Sequence, residues 1–515
     1  MSQATITIYC SGDETPLTVP VTAGQSLLDV LQAQHLSLLA PCGGAGTCKK
    51  CQVLVRDAYG SAYRLACQTP ATPGMTIDLA ASGTQDLSIQ SVGNTLVAQR
   101  FAPDAGAAGL GVAIDLGTTT VVCRLYDLAD GELVASSARI NPQITFGADV
   151  ISRIEAVTNG KLDELNELIT STLSELIIHL CEQATTTELT HIYLAGNTVM
   201  QHLAAGISPE SIGVAPYTPH MLFGTMFDIC GLPAPVFLAP CVSGYVGGDI
   251  TAGLLACDMI PEHLSQPKLL CDLGTNGEIA LGGPEGIVCC ATAAGPVFEG
   301  GTIRFGMPAL PGAISAVSFA DETGFILEVL GDQEPVGICG SGLISTVAFL
   351  LDQGIVDKTG LLRTTDPPRA LAPLVGHEDG VAVFYLTADR SLYISQLDIR
   401  NVQLAKGALA TGIATLLADA NLTVSDPVTV YLAGGFGQAL DIESAVRIGL
   451  IPQAFSHSVQ PVGNSAIEGI SAALLSGQAR DTLEQIARHC RYKELAVTED
   501  FDNRFLDSLS LEPWG

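Results

Sequence analysis

The feature that most constrains this chain is a short turn that occurs twice. Residues 111–121 read GVAIDLGTTTV and residues 270–277 read LCDLGTNG, so the sequence Asp-Leu-Gly-Thr begins at Asp115 and again at Asp272. In both places an apolar run precedes the aspartate. This pattern predicts a buried strand that ends in a tight, polar turn.

A second pair of segments alternates with these turns along the chain. Residues 192–197 read IYLAGN and residues 430–435 read VYLAGG, and each pattern predicts a strand that runs into a glycine turn. The order aspartate turn, glycine turn, aspartate turn, glycine turn indicates an internal duplication. Two similar α/β lobes are therefore expected, with a nucleotide held in the cleft between them.

The two aspartate turns have the composition of phosphate sites. Gly117 lets the backbone approach a bound group closely, and Thr118 and Thr119 add hydroxyl groups beside exposed N–H groups. Because Asp115 would repel phosphate, a hydrated Mg²⁺ is expected between the two. The second turn predicts the same catalytic role for Asp272, with cofactor-binding neighbours Gly274, Thr275 and Asn276.

Two further segments supply candidates for the same cleft. The glycine turn at 432–437 reads LAGGFG, in which Gly434, Gly435 and Gly437 leave a flat slot for adenine or ribose. Asp249 follows two glycines and precedes an apolar helix. It is interpreted either as the N-cap of that helix, which is the favoured alternative, or as a catalytic residue that orders metal and water.

The N-terminal part of the chain contains four cysteines with the spacing of a metal centre. They form the pattern C-x5-C-x2-C-x15-C and are Cys42, Cys48, Cys51 and Cys67. Structural zinc sites usually take two separated pairs of ligands, whereas three cysteines in one glycine-rich loop fit a [2Fe–2S] cluster better. Zinc remains the alternative. A cluster would give this part of the chain a function in one-electron transfer.

Composition argues against several classes of partner. The formal net charge is −30, with 23 Lys and Arg against 53 Asp and Glu, so neither nucleic acid nor a membrane surface is expected as a partner. The chain opens without the basic and apolar segments of a signal peptide, and prolines interrupt the long uncharged stretch at 229–248. A cytoplasmic location is expected, where the 15 cysteines would not form a disulfide framework.

Taken together, these motifs resemble known families over nearly the whole chain. The order strand, strand, helix, cysteine loop resembles the β-grasp fold of [2Fe–2S] ferredoxins, and the paired turns resemble the actin, sugar-kinase and heat-shock-chaperone superfamily of ATPases. With NPQITFGADVISRI, VGGDI, GICGSGL and LAKGA added, the chain resembles the ATP-dependent reductive activators of corrinoid proteins. The resemblance implies an α/β and α+β multidomain protein: a ferredoxin-like domain at 1–85, a linker at 86–110, and an actin-like ATPase domain at 111–515 with lobes at 111–265 and 266–460, then a crossing helix and tail at 461–515.

The resemblance also implies a repair function. Such activators return the cobalt of a corrinoid methyl-carrier protein from Co(II) to Co(I), using ATP with Mg²⁺ and electrons that pass through the cluster. The implied partners are that corrinoid protein, an electron-donating reductase or ferredoxin, and, in a homodimer, a second copy. Two alternatives remain open. One is a small-molecule kinase with a redox-sensing ferredoxin domain, in which Asp249 could act as base, and the other is an actin-like scaffolding ATPase.

Overall fold

A computed structural model gives the architecture of the chain. It describes residues 5–9, 16–22, 24–34, 36, 38, 51–57, 60–79, 100–184, 189–274, 276–320, 324–434, 440–498 and 500–515. Several predicted site residues lie outside these ranges: Cys42, Cys48, Thr275, Gly435 and Gly437. Most of the predicted linker, residues 86–99, also lies outside them.

The N-terminal module is a small mixed sheet with one helix packed on it. Its elements are β1 (Thr5–Tyr9), β2 (Leu17–Pro20), α1 (Leu27–Ala33), β3 (Gln52–Asp57), β4 (Gly60–Leu65) and β5 (Thr76–Asp78). The strand order is β2-β1-β5-β3-β4, with β1 and β5 parallel. Alternating apolar residues of the strands and one face of α1 form its core. The predicted β-grasp fold is confirmed.

The first lobe is built on a six-stranded sheet. Its elements are β6 (Leu110–Leu116), β7 (Thr120–Asp127), β8 (Leu133–Ile140), α2 (Val150–Thr158), α3 (Leu162–Cys181), β9 (Leu189–Gly196), α4 (Thr198–Ala204), β10 (Thr225–Phe227), β11 (Val236–Leu238) and α5 (Gly248–Ala256). The strand order is β10-β11-β9-β6-β7-β8. Helices α2 to α4 cover one face of this sheet and bury its apolar side chains.

The second lobe has a larger set of elements. They are β12 (Lys268–Leu273), β13 (Gly277–Gly283), β14 (Gly286–Thr292), β15 (Ala313–Ala320), β16 (Gly324–Val329), β17 (Gly337–Ile338), α6 (Gly340–Asp352), β18 (Val375–Glu378), β19 (Val381–Tyr385), β20 (Tyr393–Ser395), α7 (Gln396–Asp419), β21 (Thr429–Ala433), α8 (Ile442–Arg447), β22 (Val459–Gly463), α9 (Ser465–Leu475), α10 (Gly477–His489), β23 (Cys490–Tyr492) and α11 (Phe501–Asp507). The main sheet has the order β22-β21-β12-β13-β14-β23, and two three-stranded sheets, β16-β15-β17 and β18-β19-β20, form the insertion.

The register of the two main sheets confirms the internal duplication. In each lobe three consecutive antiparallel strands are followed by a parallel strand that returns beside the first one. Asp115 on β6 lies opposite Ala195 on β9, and Asp272 on β12 lies opposite Ala433 on β21. The two aspartates therefore occupy equivalent positions, each beside the alanine of a Leu-Ala-Gly sequence.

A shared apolar core joins the two lobes. Helix α5 follows the first sheet and helix α9 follows the second, yet α9 packs against β6, β9 and α5 of the first lobe. Their contact is close, since a Cβ atom at Gly469 of α9 would lie 1.9 Å from the carbonyl oxygen of Ala252 of α5. Only a glycine allows this approach. Helix α9 therefore crosses between the lobes.

Candidate nucleotide cleft and cluster ligands

The first aspartate turn, residues 115–120, is called here the first phosphate turn after its predicted ligand. It is a closed, hydrogen-bonded loop between β6 and β7. The N–H group of Gly117 donates to the carbonyl oxygen of Thr120 at 3.0 Å, which forms the tight turn that the sequence predicts. The side-chain amide of Asn141 donates to the carbonyl oxygen of Gly117 at 2.9 Å, and its backbone N–H donates to Thr119 at 2.8 Å. The turn is therefore held from behind by the segment that follows β8.

Thr118 is held by two buried polar side chains. Asn197 caps α4 by accepting from the N–H group of Met200, and its own amide donates to the Thr118 hydroxyl at 2.9 Å. Arg153 of α2 donates to the carbonyl oxygen of Thr118. Because that carbonyl accepts from behind, the loop keeps a fixed orientation in which an anion could be bound.

Three buried aspartates lie close enough for their charges to interact. Asp115 lies near the end of β6, Asp249 lies in the first turn of α5, and Asp272 lies near the end of β12. The predicted N-cap role of Asp249 is wrong, because Gly247 occupies the N-cap position of α5. Asp249 instead accepts from the N–H group of Ile250 at 2.8 Å. The structure thus brings together the three candidate catalytic residues.

Burial raises the pKa of each of these aspartates, and repulsion by neighbouring carboxylates adds to the shift at Asp249 and Asp272. Burial raises the pKa of Asp115 to about 6, although a hydrogen bond from Asn464 and the charge of Arg124 oppose the shift. The pKa of Asp272 is raised to about 7 by burial and by the carboxylates of Asp115 and Glu299. The pKa of Asp249 is raised to about 8 by burial and by Asp272 and Asp115. The cleft therefore concentrates carboxyl groups whose negative charge a bound cation would stabilise.

A fourth carboxylate contributes to this charge and was not predicted from the sequence. Glu278 on β13 lies directly opposite Asp272 on β12, and its side chain is 5% exposed. Burial and the charges of Asp249 and Asp272 raise the pKa of Glu278 well above its ordinary value. Its Oε1 atom has no hydrogen-bond partner among the described residues. A single acidic residue in a strand gives no sequence signal that it will be buried beside other carboxylates.

The chemistry of this donor set fits a magnesium ion bound with a nucleotide. Carboxylate oxygens are the ligands that Mg²⁺ prefers, and it usually binds through one or two of them together with substrate phosphates. A divalent cation would also relieve the repulsion that raises these pKa values. In the described part of the chain, no group of three or more acidic, histidine or cysteine side chains is arranged to bind a metal ion by itself.

The second phosphate turn lies close to the glycine turn of the second lobe. Gly274 and Asn276 follow β12, and Gly434 follows β21 with a φ of +95°. A Cβ atom at Gly434 would lie 3.1 Å from the carbonyl oxygen of Leu273 and 3.2 Å from Oδ1 of Asp272. Gly434 is therefore required where the backbone passes beside the aspartate. The adjacent residues Thr275, Gly435 and Gly437 lie outside the described ranges.

Two side chains connect the lobes at the cleft. The hydroxyl group of Thr119 donates to Oε2 of Glu299 at 2.8 Å, which joins the first phosphate turn to a loop of the second lobe. The amide of Asn464, the N-cap of α9, donates to Oδ2 of Asp115 at 2.6 Å. Neither contact was predicted from the sequence, because both partners are far apart along the chain.

The described cysteines of the N-terminal pattern also lie together. The Sγ atoms of Cys51 and Cys67 are 3.2 Å apart, although 15 residues separate them. Cys51 precedes β3 and Cys67 follows β4, so the hairpin brings the two thiols side by side. This proximity fits two ligands of one cluster. The other predicted ligands, Cys42 and Cys48, lie outside the described ranges.

Comparison with known proteins identifies the family. Residues 12–72 match the family described as 2Fe-2S iron-sulfur cluster binding domain, residues 110–262 match RACo middle region, and residues 266–514 match C-terminal domain of RACo the ASKHA domain. The chain is 34% identical over 416 residues to corrinoid activation enzyme RamQ of Eubacterium limosum, covering 77% of this chain and 69% of that protein.

The chain belongs to the family of corrinoid-activating proteins. Within this family it is 24% identical over 439 residues to the Methanosarcina barkeri protein named [Co(II) methylated amine-specific corrinoid protein] reductase, covering 78% of this chain and 76% of that protein. A solved structure, reductive activator for corrinoid,iron-sulfur protein, superposes with a TM-score of 0.70 at 30% identity and covers 99% of this chain and 98% of that one.

Membership in this family confirms several predictions. The corrinoid-activating protein has an iron–sulfur domain of the [2Fe–2S] type and an ATPase domain of the actin-like superfamily, and it is a redox enzyme that uses ATP. The zinc alternative is not supported, because the N-terminal match is to a [2Fe–2S] domain. Across the described residues, no helix combines the length and the apolar character that crossing a bilayer requires.

Proposed function

We propose that this corrinoid-activating protein uses ATP to return a corrinoid methyl-carrier protein from Co(II) to Co(I). The observation that carries the proposal is the similarity of the whole chain to a solved reductive activator. The carboxylates in the cleft between the two lobes, where the sequence predicts ATP, also support it. The ferredoxin-like domain at 1–85 would carry electrons, the segment 86–110 would connect the two domains, and the ATPase domain at 111–515 would bind and hydrolyse ATP. An external reductase or ferredoxin would supply the electrons, in the cytoplasm, and the working unit would be a homodimer.

The residues of the cleft have distinct roles in this proposal. The N–H groups of the two phosphate turns, at Gly117 to Thr119 and Gly274 to Asn276, would bind the phosphates. Asp115 and Asp272 would bind the hydrated magnesium ion, and Asp249 would order the attacking water. Gly434, Gly435 and Gly437 would contact the adenosine. When bound, magnesium supplies positive charge to the phosphate oxygens.

The physical problem that ATP would solve is an unfavourable electron transfer. For a one-electron step, each gap of about 59 mV in reduction potential changes the equilibrium tenfold. A ligand shifts such a balance only through its different affinity for two states of the protein. Closing of the lobes around ATP would provide the second state, since Thr119, Glu299, Asn464 and α9 connect both lobes to the nucleotide turns.

Cys42, Cys48, Cys51 and Cys67 would hold a [2Fe–2S] cluster, which supplies one-electron transfer when bound. The distance of 3.2 Å between the Sγ atoms of Cys51 and Cys67 supports this ligand set. Replacing Cys67 with serine should abolish the visible absorbance of the purified protein. Replacing the exposed Cys230 with serine is the matched control and should leave that absorbance unchanged.

The decisive experiment follows Co(I) formation by visible spectroscopy, with pre-reduced protein and a cobalamin-bearing protein as partner. Co(I) should form with Mg·ATP and free phosphate should be released. Without ATP, or with Asp272→Asn, it should not form. Equal Co(I) yield with and without ATP would reject the coupling. Phosphate transferred to a small-molecule acceptor would instead support the kinase alternative, and filaments that grow with protein concentration would support the scaffolding alternative.

A further inference from the structure

A hydrogen bond joins the ferredoxin-like module to the first lobe of the ATPase domain. The side-chain amide of Gln32, on the last turn of α1, donates to the backbone carbonyl oxygen of Thr145. Gln32 is half-buried and Thr145 is buried. This contact therefore links the electron-carrying module to the segment after β8, which also holds the first phosphate turn.

Thr145 ends a short helical turn that is attached to the first phosphate turn. This turn, Pro142–Thr145, begins after Asn141, and Asn141 and Gln143 are both 0% exposed. The Asn141 amide donates to the carbonyl of Gly117 at 2.9 Å, and the Thr145 hydroxyl donates to the carbonyl of Pro142 at 2.9 Å. A displacement of the phosphate turn would therefore move the carbonyl group that Gln32 contacts.

Arg153 connects the same two turns through a second path. Its guanidinium is 0% exposed and donates to the carbonyl of Thr118, to Oε1 of Gln143 at 3.1 Å, and to the carbonyl of Gly147 at 3.1 Å. The carboxylates of Asp149 and Glu299 stabilise its charge, whereas burial opposes the charged form. Burial of a cation is costly, and an anion bound on the front of the Thr118 turn would offset more of that cost.

We propose that the segment 141–153 couples occupancy of the nucleotide site to docking of the ferredoxin-like module. With phosphate bound, Arg153 and Asn141 hold the turn in the arrangement that presents the Thr145 carbonyl to Gln32. Without phosphate, less of the cost of burying Arg153 is offset, so the turn loosens and the contact weakens. Arg153 is then a positioning residue for both the first phosphate turn and the Thr145 carbonyl that Gln32 contacts. The inference rests on the proposed nucleotide site, and it adds a route by which ATP controls the electron carrier.

Hydrogen–deuterium exchange of the full-length protein with its cluster tests the coupling. Peptides that cover α1 are followed with and without Mg²⁺ and a non-hydrolysable ATP analogue, whose Kd is measured separately by calorimetry. In the wild type, the analogue should slow exchange in α1 about threefold or more, the effect expected of one hydrogen bond. Gln32→Ala should abolish this response and raise the Kd by no more than the factor by which the analogue slows exchange in the wild type, because the coupling is reciprocal. Gln34→Ala is the matched control, because among the described residues the Gln34 side chain donates only to the carbonyl of its neighbour Ala33, so this variant should keep the response.

Arg153→Lys tests the other end while retaining a positive charge. Lysine has no planar fork to reach Thr118, Gln143 and Gly147 together, so the Kd of the analogue should rise about tenfold and the α1 response should be lost. Because this variant could fail to fold, its thermal midpoint is measured, and Gln32→Ala decides the proposal if Arg153→Lys does not fold. A folded Arg153→Lys protein that keeps the α1 response would show a purely structural role and overturn the assignment.

The failure of this inference differs from the failure of the proposed function. If the analogue binds the wild type but α1 exchanges equally with and without it, the coupling is overturned and the nucleotide site stands. A retained response in Gln32→Ala also overturns it. If the analogue does not bind the wild type at all, the proposed nucleotide function itself fails.

Discussion

The two lobes share one topology but treat their aspartates differently. Asp115 and Asp272 occupy equivalent register positions beside Ala195 and Ala433. Asp115 accepts a hydrogen bond from Asn464 and lies near the charge of Arg124, whereas no described residue donates a hydrogen bond to the carboxylate of Asp272. The pKa is raised to about 6 for Asp115 and about 7 for Asp272.

This difference indicates a division of labour between duplicated turns. The first turn is anchored from behind by buried polar side chains, so it can keep a fixed geometry for phosphate. The second turn faces further carboxylates, Asp249, Glu278 and Glu299, so it holds the charge that a cation would neutralise. Duplication provided two copies of the turn, and the long-range contacts of each copy made them different. The first turn is held by hydrogen bonds, and the second is surrounded by carboxylates.

The largest expected effect comes from removing either aspartate. Asp115→Asn and Asp272→Asn should each lower ATP hydrolysis about 100-fold or more, because each removes negative charge that would bind the metal. The two variants should differ in the stability of the nucleotide-free protein. Asp272→Asn should raise the thermal midpoint by relieving repulsion, whereas Asp115→Asn should lower it by weakening the bond from Asn464. Phosphate release and thermal denaturation measure both effects.

The exposed Asp389, which lies in a loop of the insertion, provides the control for these variants. Asp389→Asn should leave hydrolysis unchanged. Hydrolysis by Asp272→Asn within threefold of the wild type would contradict the assignment of the second turn, and equal stability changes in the two variants would contradict the division of labour.

The next effect concerns pH. The pKa of Asp249 is about 8 in the folded protein and close to 4 in an unfolded chain, so the folded state binds this proton more tightly. The associated stability is therefore present below about pH 4 and lost as the pH rises to about 8. Without Mg²⁺ and nucleotide, Asp249→Asn should be more stable than the wild type at pH 8 by about 1.4 kcal/mol or more, the value of one pKa unit.

Denaturant unfolding at pH 5 and pH 8 measures this difference, which should be smaller at the lower pH. Adding Mg²⁺ and an ATP analogue to the wild type should remove most of it. A gain in stability that does not change with pH would point to packing and would sink the electrostatic explanation.

A smaller effect separates capping from positioning. Asn197→Ala and Asp441→Ala each remove an N-cap, of α4 and α8, and each should cost about 1 kcal/mol of stability. Only Asn197→Ala should also raise the Kd of the ATP analogue severalfold, because only Asn197 bonds the Thr118 hydroxyl. Calorimetry of both variants decides the matter. Equal affinities would show that the first turn does not depend on this anchor.

The smallest effect is expected at the contact between the lobes. Thr119→Val removes the hydrogen bond to Glu299 and should change stability by less than about 1.5 kcal/mol. The KM for ATP should rise about threefold, with kcat changed less, because the contact helps to close the cleft. Thr119→Ser keeps the hydroxyl and should restore the KM. Failure of serine to restore it would show that the methyl group, and not the hydrogen bond, is required.

Much of the fold could be predicted from the sequence because its signals are local. Apolar runs that end in an aspartate or glycine turn predicted the strands β6, β12 and β21. The error at Asp249 has a clear cause, since two preceding glycines shift the N-cap to Gly247, leaving the carboxylate to face the cleft.

The sequence by itself determined the duplication, the two aspartate turns and the family, because these depend on residue type and spacing; the identity of the four cysteine ligands stays a prediction. Only the tertiary structure decided which carboxylates meet. Asp115, Asp249, Asp272, Glu278 and Glu299 come from separate segments, and the contacts of Asn464, Arg153 and Gln32 join residues more than 30 positions apart. Burial and charge proximity depend on distance in space, which no local pattern encodes.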